Sequence, residues 1–282
     1  MKQRWGTSFC MACLFVFTFI LSAAAAPAAP KPVLLEGAWD FETATLVAGL
    51  KDTSCQQFGG WTYTSGTLDG YPVVVCRTGE GGARAAAATA VGIEHFQPRA
   101  VIHQGTSGGN DPALHVGDIV LGRKSFDSCA WRSHPSPEGA GVDYRDIELR
   151  GTYDPTAGLR DPNSQIYYLA DPGLLAAANA VRSKYTQGKI IEGCINTSNC
   201  WNEQIDRILW LHRAYGSSCE EMETNAAAQI CQEYHVPFVG IRVISNTALH
   251  HEAFRPDTAA ACQEYVLQVV RSYVNDLKDT VE

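Results

Sequence analysis

Residues 221–246 read EMETNAAAQICQEYHVPFVGIRVISN, and this stretch decides the fold. Met222, Ala226, Ala227, Ile230, Cys231 and Tyr234 recur at helical spacing, which predicts a helix from 222 to about 234 with one apolar stripe. Pro237 stops it. The run from Phe238 to Ile244 is then almost continuously apolar, as in a strand covered on both faces. A helix leading into such a strand is the repeating unit of an α/β sheet, whose ligands sit outside the carboxyl ends of the strands. Ser245 and Asn246 therefore fall at the rim of a site. The acidic start of the helix, at Glu221 and Glu223, can present a carboxylate to the same crevice.

The same alternation extends to both sides. Strands are expected at 32–35, 71–76, 100–103, 115–121 and 189–191, and helices at 84–95, 172–185, 202–215 and 257–276. Aromatic–threonine alternation around WTYT at 61–64, with Gly59-Gly60 before it and Asp69-Gly70 after it, predicts a hairpin between 55 and 70. Two glycine-rich stretches, 78–83 and 104–109, read as loops after strands. Residues 125–161 lack periodicity and read as a long insertion bordering the site. The expected fold class is α/β: a three-layer α/β/α arrangement with a mixed, largely parallel central sheet, forming one domain over 30–282.

Residues 1–29 do not fit that domain. Lys2 and Arg4 precede an apolar run from Phe9 to Leu21 and a small-residue zone from Ala23 to Ala29, the layout of a secretory signal peptide. The expected location is secreted or vacuolar. Loss of Lys2 and Arg4 with the leader takes the formal charge from −8 to −10. An acidic chain with no cationic block is a poor partner for nucleic acid or an anionic membrane. No later stretch is long and apolar enough to span a bilayer. Eight cysteines remain after the leader, an even number that predicts disulfides in an oxidising compartment, with Cys194–Cys200 as one local staple. Asn196-Thr197-Ser198 is a glycosylation sequon.

Taken singly, the polar candidates have ordinary readings. Glu42 can be a solvated helix carboxylate, and Gly105-Thr-Ser-Gly-Gly109 a turn whose amides could also cradle an anion. Glu221 and Glu223 can be helix-start acids. On a helix, a two-residue spacing sets them about 200° apart, so one at most would face a given ligand. His250, His251 and Glu252 match no zinc spacing; no metal is expected.

Together they form a pattern. GAWDFE at 37–42 is similar to a GAMEEE turn, GTSGG at 105–109 to GSAGG, VGDIV at 116–120 to the same strand motif, EME at 221–223 to EME, and IRVISN at 241–246 to IRAISD. The chain thereby resembles the purine nucleoside phosphorylase and uridine phosphorylase superfamily over nearly its whole length after the leader. Within that superfamily it looks most like methylthioadenosine/adenosylhomocysteine nucleosidases and the plant vegetative (bark) storage proteins. The resemblance implies N-glycosidic cleavage in a nucleoside, which puts positive charge on the ribose and negative charge on the departing base. Glu223 would then grip the ribose hydroxyls, with Glu221 beside it and Met222 against the sugar. Glu42 would activate water, helped by Thr106 and the Gly108 backbone, and a residue near Trp201 would stack on the base. The expected partners are a small-molecule nucleoside or base and a second copy of the chain in a homo-oligomer.

Two positions depart from the pattern. The nucleosidases carry an aspartate where this chain has Asn246, and an amide donates a hydrogen bond to purine N7 without delivering a proton. The phosphorylases carry a phosphate-binding arginine where this chain has His103, which tilts the nucleophile toward water; a histidine with the loop amides can still bind an anion, so His103 is counted among the expected substrate-binding residues. No cofactor is expected, and phosphate remains a possible co-substrate. The competing readings are a non-catalytic storage or base-binding protein on the same scaffold, and a phosphate-dependent phosphorylase.

Overall fold

A computed structural model describes residues 29–150 and 166–279. Nearly all of the expected leader, and the end of the expected insertion at 151–161, lie outside the described residues. The elements in order are β1 (Val33–Gly37), α1 (Asp40–Ala48), β2 (Lys51–Phe58), β3 (Trp61–Leu68), β4 (Tyr71–Arg77) and α2 (Gly82–Phe96). Then come β5 (Ala100–Gly109), β6 (Ile119–Asp127), β7 (Trp131–Ser133), β8 (Ile147–Leu149), β9 (Tyr168–Leu169) and α3 (Pro172–Ala180). The chain closes with β10 (Ile190–Thr197), α4 (Ile205–Tyr215), β11 (Ser217–Glu221), α5 (Thr224–Glu233), β12 (Phe238–Asn246) and α6 (Thr258–Asp279).

The sheet runs β11-β10-β6-β12-β5-β1-β4-β3-β2. Pairing is parallel for β1 with β4 and β5, β5 with β12, and β10 with β6 and β11, and antiparallel through β2, β3 and β4 and between β6 and β12. β11 also pairs antiparallel with β5, so β5, β12, β6, β10 and β11 close on themselves. The sheet is mixed and covered by helices, as the alternation predicts.

Doubly buried strands explain the apolar runs. Val33, Leu35, Val73, Val75, Ile102 and Ile241 pack beneath α1, α3 and α6 through Leu46, Leu174 and Val266. Leu34, Val74 and Val101 point the other way, toward Ala88 of α2 and Ala227 and Cys231 of α5. At ~25 cal/mol per Å² of apolar surface, these two layers supply the main stabilising term.

Four expectations change. The glycine stretch at 104–109 is the second half of β5, a strand and not a loop, because β12 and β11 bond it on either side. Glu221 ends a strand, and the helix starts two residues later than expected. The polar run SSCEE of β11 hides its burial: Cys219 packs with Leu114, Ile195 and Ile244, and both glutamates are satisfied by side chains. The described residues at 125–150 pack through Leu149 on α4 and line no part of the site cavity. The sequon fails on burial: Asn196 is fully buried in β10 and its Nδ2 donates to Glu220 at 2.7 Å, leaving no room for a glycan.

No disulfide joins any of the eight cysteines in the described residues. Cys194 is buried against Phe126 and Leu211, whereas Cys200 reaches solvent beside Ser198, so the two do not form a staple.

Candidate active site

The carboxyl ends of β1, β5 and β12, the end of β11 and the loop before α6 surround a cavity of about 320 Å³, within the range of small-ligand sites. Glu42, Thr106, Gly108, Trp201, Glu221, Met222, Glu223 and Asn246 all line it. Eight of the nine residues singled out from the sequence therefore meet in one place.

Glu42 is 2% exposed, which rules out the solvated-carboxylate reading. It sits in the first turn of α1, where its Oε2 accepts the N–H groups of Ala38 (2.9 Å) and Trp39 (3.2 Å), satisfying donors that a helix start leaves free. Its Oε1 accepts both the N–H (2.7 Å) and the hydroxyl (2.8 Å) of Thr106. Four donors hold one carboxylate at the cavity wall. Gly105 is what lets β5 pass this close: a Cβ there would stand 2.7 Å from Glu42 Oε1 and 2.6 Å from Arg242 Nη1.

Arg242 organises the acidic side. It is 1% exposed within β12. A buried guanidinium must be paired, and this one is: Nη2 contacts Glu221 Oε2 and lies 3.5 Å from Glu223 Oε2, while Nε donates to Thr224 Oγ1 at 3.0 Å. Glu221 is further held by the Thr197 hydroxyl and the Thr224 N–H. Glu223 accepts the Gly81 N–H at 2.8 Å. Burial first, then the Glu221 carboxylate, pushes the Glu223 carboxyl above its ordinary range, against the pull of Arg242. The 200° separation expected on a helix does not apply, because Glu221 is on a strand and Glu223 caps α5.

His103 is not in the cavity. It is fully buried behind Arg242, whose Nη2 donates to His103 Nδ1 at 2.9 Å. Burial, reinforced by the Arg242 charge, pushes its pKa well below the ordinary histidine range, so it is a neutral acceptor. A neutral ring facing a guanidinium cannot bind an anion; its expected place among the substrate-binding residues is corrected.

The opposite wall is looser. Asn246 pairs across Gly108, and its Nδ2 lies over that glycine, 3.5 Å from where a Cβ would be. Its Oδ1 accepts the Ser245 hydroxyl at 3.1 Å. Trp201 is 59% exposed and meets Phe254 edge-on at 5.7 Å between centroids. Trp39 and Phe41 stack across the mouth.

Arg242, Glu220 and the aromatic residues at 41 and 254 escaped the sequence reading. Arg242 had a signal: one cation inside a doubly buried strand demands acidic partners nearby. Glu220 had none, since its β11 run looks like surface, yet it accepts from Ser198 (2.8 Å) and Asn196 (2.7 Å) and lines the cavity. Among the described residues no cluster of side chains is suited to hold a metal ion.

Comparison with known proteins agrees with the fold. A family model described as the phosphorylase superfamily matches residues 32–275. The 5'-methylthioadenosine/S-adenosylhomocysteine nucleosidase of a Marinomonas species is 31% identical over 215 residues, spanning 76% of this chain and 85% of that protein. The solved structure of the same-named nucleosidase from Colwellia psychrerythraea, in complex with adenine, superposes with a TM-score of 0.69 at 26% identity, covering 86% of this chain and 96% of that one. Futalosine hydrolase of Helicobacter pylori shares the fold, with a TM-score of 0.68 at 21% identity over 86% of this chain and 97% of that one.

Proposed function

The chain belongs to the phosphorylase superfamily, and from that premise we propose that it is a secreted nucleosidase, which hydrolyses the N-glycosidic bond of a purine-type nucleoside with water as nucleophile. The observation that carries this reading is the charge of the cavity. Five carboxylates line it, from Glu42, Glu80, Glu220, Glu221 and Glu223, and no Lys, Arg or His does so among the described residues. The buried Arg242 is already engaged by Glu221 and Glu223. Such a wall stabilises positive charge developing on a ribosyl group and repels a phosphate dianion. The nucleosidases among the relatives support the same reaction class, and the signal-like residues 1–29 support export.

The roles follow from the geometry. Glu223, fixed by Gly81 and Arg242, takes the two ribose hydroxyls as charge-assisted donors. Met222 packs against the sugar. The Thr106 hydroxyl can turn away and yield its place on Glu42 Oε1 to a water, which the carboxylate deprotonates as it attacks. Asn246 donates to the ring nitrogen of the departing base and neutralises part of its charge without protonating it.

A base-release assay with adenosine, 5'-methylthioadenosine, inosine and guanosine, with and without phosphate, tests this. Release independent of phosphate and abolished in Glu223→Ala is expected; release that requires phosphate would move the protein to the phosphorylases. Asn246 also favours a second reading, a base-binding or storage protein. That reading expects about 2.7 kcal/mol of stabilisation by a nucleoside at 100 times its dissociation constant, with no turnover.

A further inference from the structure

Cys76, Cys194, Cys219, Cys231 and Cys262 are buried, whereas Cys55, Cys129 and Cys200 reach solvent, and Cys55 lies apart from the other two on β2 at the edge of the sheet. β6 and β10 run parallel and end with Asp127 opposite Thr197, on backbones about 4.8 Å apart. Just beyond, Ser128 N donates to Thr197 O at 3.0 Å, so the two chains leave the sheet side by side. Cys129 follows at once on one chain and Cys200 three residues on along the other. The backbone N–H of Asn199, the residue before Cys200, is directed at the Cys129 sulfur. Partial burial raises both thiols, and the Arg207 guanidinium, near both, pulls the other way.

We infer that Cys129 and Cys200 are a disulfide-forming pair that clips one wall of the cavity to the end of β6. The separation of two neighbouring strand ends suits the Cα–Cα range that a disulfide requires, roughly 4.4–6.8 Å. With oxidised glutathione as the oxidant, one thiolate attacks its disulfide and releases one glutathione thiolate. The second cysteine thiolate then attacks the mixed disulfide and releases the other. Two protons leave the cysteines and two electrons pass to glutathione.

The clip acts on the site because Cys200 lines the cavity beside Trp201 and Asn202. Its Sγ lies 3.1 Å from Ser198 Oγ and 3.7 Å from Glu220 Oε1, contacts that are exchanged for Cys129 on oxidation. The bridge closes a long loop, which stabilises the fold chiefly by restricting the unfolded chain. The pairing is independent of the nucleosidase reading; its effect on KM rests on that reading.

The reduced mature protein is incubated with oxidised glutathione at pH 8, digested without reduction and analysed by mass spectrometry, in parallel with thiol titration and thermal unfolding. Expected are a linked peptide joining residues 129 and 200, loss of two titratable thiols, and a Tm several degrees higher. A KM shifted threefold or more for the preferred nucleoside should accompany them. Cys129→Ser should match the reduced wild type in Tm and turnover and should not respond to oxidant; Cys200→Ser should likewise give no linked peptide. Full alkylation of both cysteines after oxidation, a stable glutathione adduct on either, or a link to Cys55 would overturn the pairing. A linked peptide without turnover in either redox state would uphold the pair and count against the nucleosidase.

Discussion

The acidic end of the cavity, where the proposed reaction seats the sugar, and the opposite end, where it seats the base, are built on opposite principles. At the sugar end Glu42, Glu221, Glu223 and Arg242 are all less than a tenth exposed, and each carboxylate has its own donors: Thr106 on Glu42, Thr197 and Thr224 on Glu221, and Gly81 on Glu223. At the base end Asn246, Trp201 and Phe254 meet the cavity with few bonds, and Trp201 and Phe254 are open to solvent. Preorganised charge is worth most where water is excluded. In the proposed reaction the chemistry of bond cleavage is therefore concentrated at the sugar end, and the identity of the base is left to groups that can be exchanged without unpairing a buried charge.

The largest break in that comparison comes from Glu42→Gln. It keeps the shape but removes the group proposed to activate water, and kcat is expected to fall by about 10² to 10⁴ with KM little changed, read by initial rates on the preferred nucleoside. An equal rise in KM would place Glu42 in binding instead. Next is Arg242→Met, which strands Glu221 and Glu223 without their cation. A loss of about 3–5 kcal/mol in denaturant unfolding is expected; a neutral result would show that the carboxylates are held by their other donors alone.

A pH series sharpens the contrast further. Burial and Glu221 raise the Glu223 carboxyl, so its ionised, ribose-binding form is gained only as pH rises past the ordinary carboxylate range. Log kcat/KM should climb with pH there, and the climb should be absent in Glu223→Gln. The same shift has the opposite sign for stability: a raised folded-state pKa favours the protonated form, and that contribution is lost as pH rises through it. A flat profile in the wild type would mean that substrate meets an already ionised Glu223.

The legibility of the sequence follows the same division. The apolar runs of β1, β5 and β12 are buried on both faces and could be read directly, as could the helical stripe of α5. β11 could not, because its polar side chains are buried by bonding one another, and no periodicity reports that. Glu42 and Glu223 were recognisable through their motifs. Arg242 is one polar residue in an apolar run, and the motif position of His103 points to the ligand whereas its burial pairs it with Arg242. The cysteine count pointed to disulfides, but which thiols are near each other depends on two strand ends that are distant in sequence.

The most direct test of the account is Asn246→Asp, assayed for release of adenine from 5'-methylthioadenosine beside the wild type. If the sugar end is intact and only proton delivery to the base is missing, kcat/KM should rise by about 10² to 10⁴. A folded variant with no gain would contradict the division of labour between the two ends.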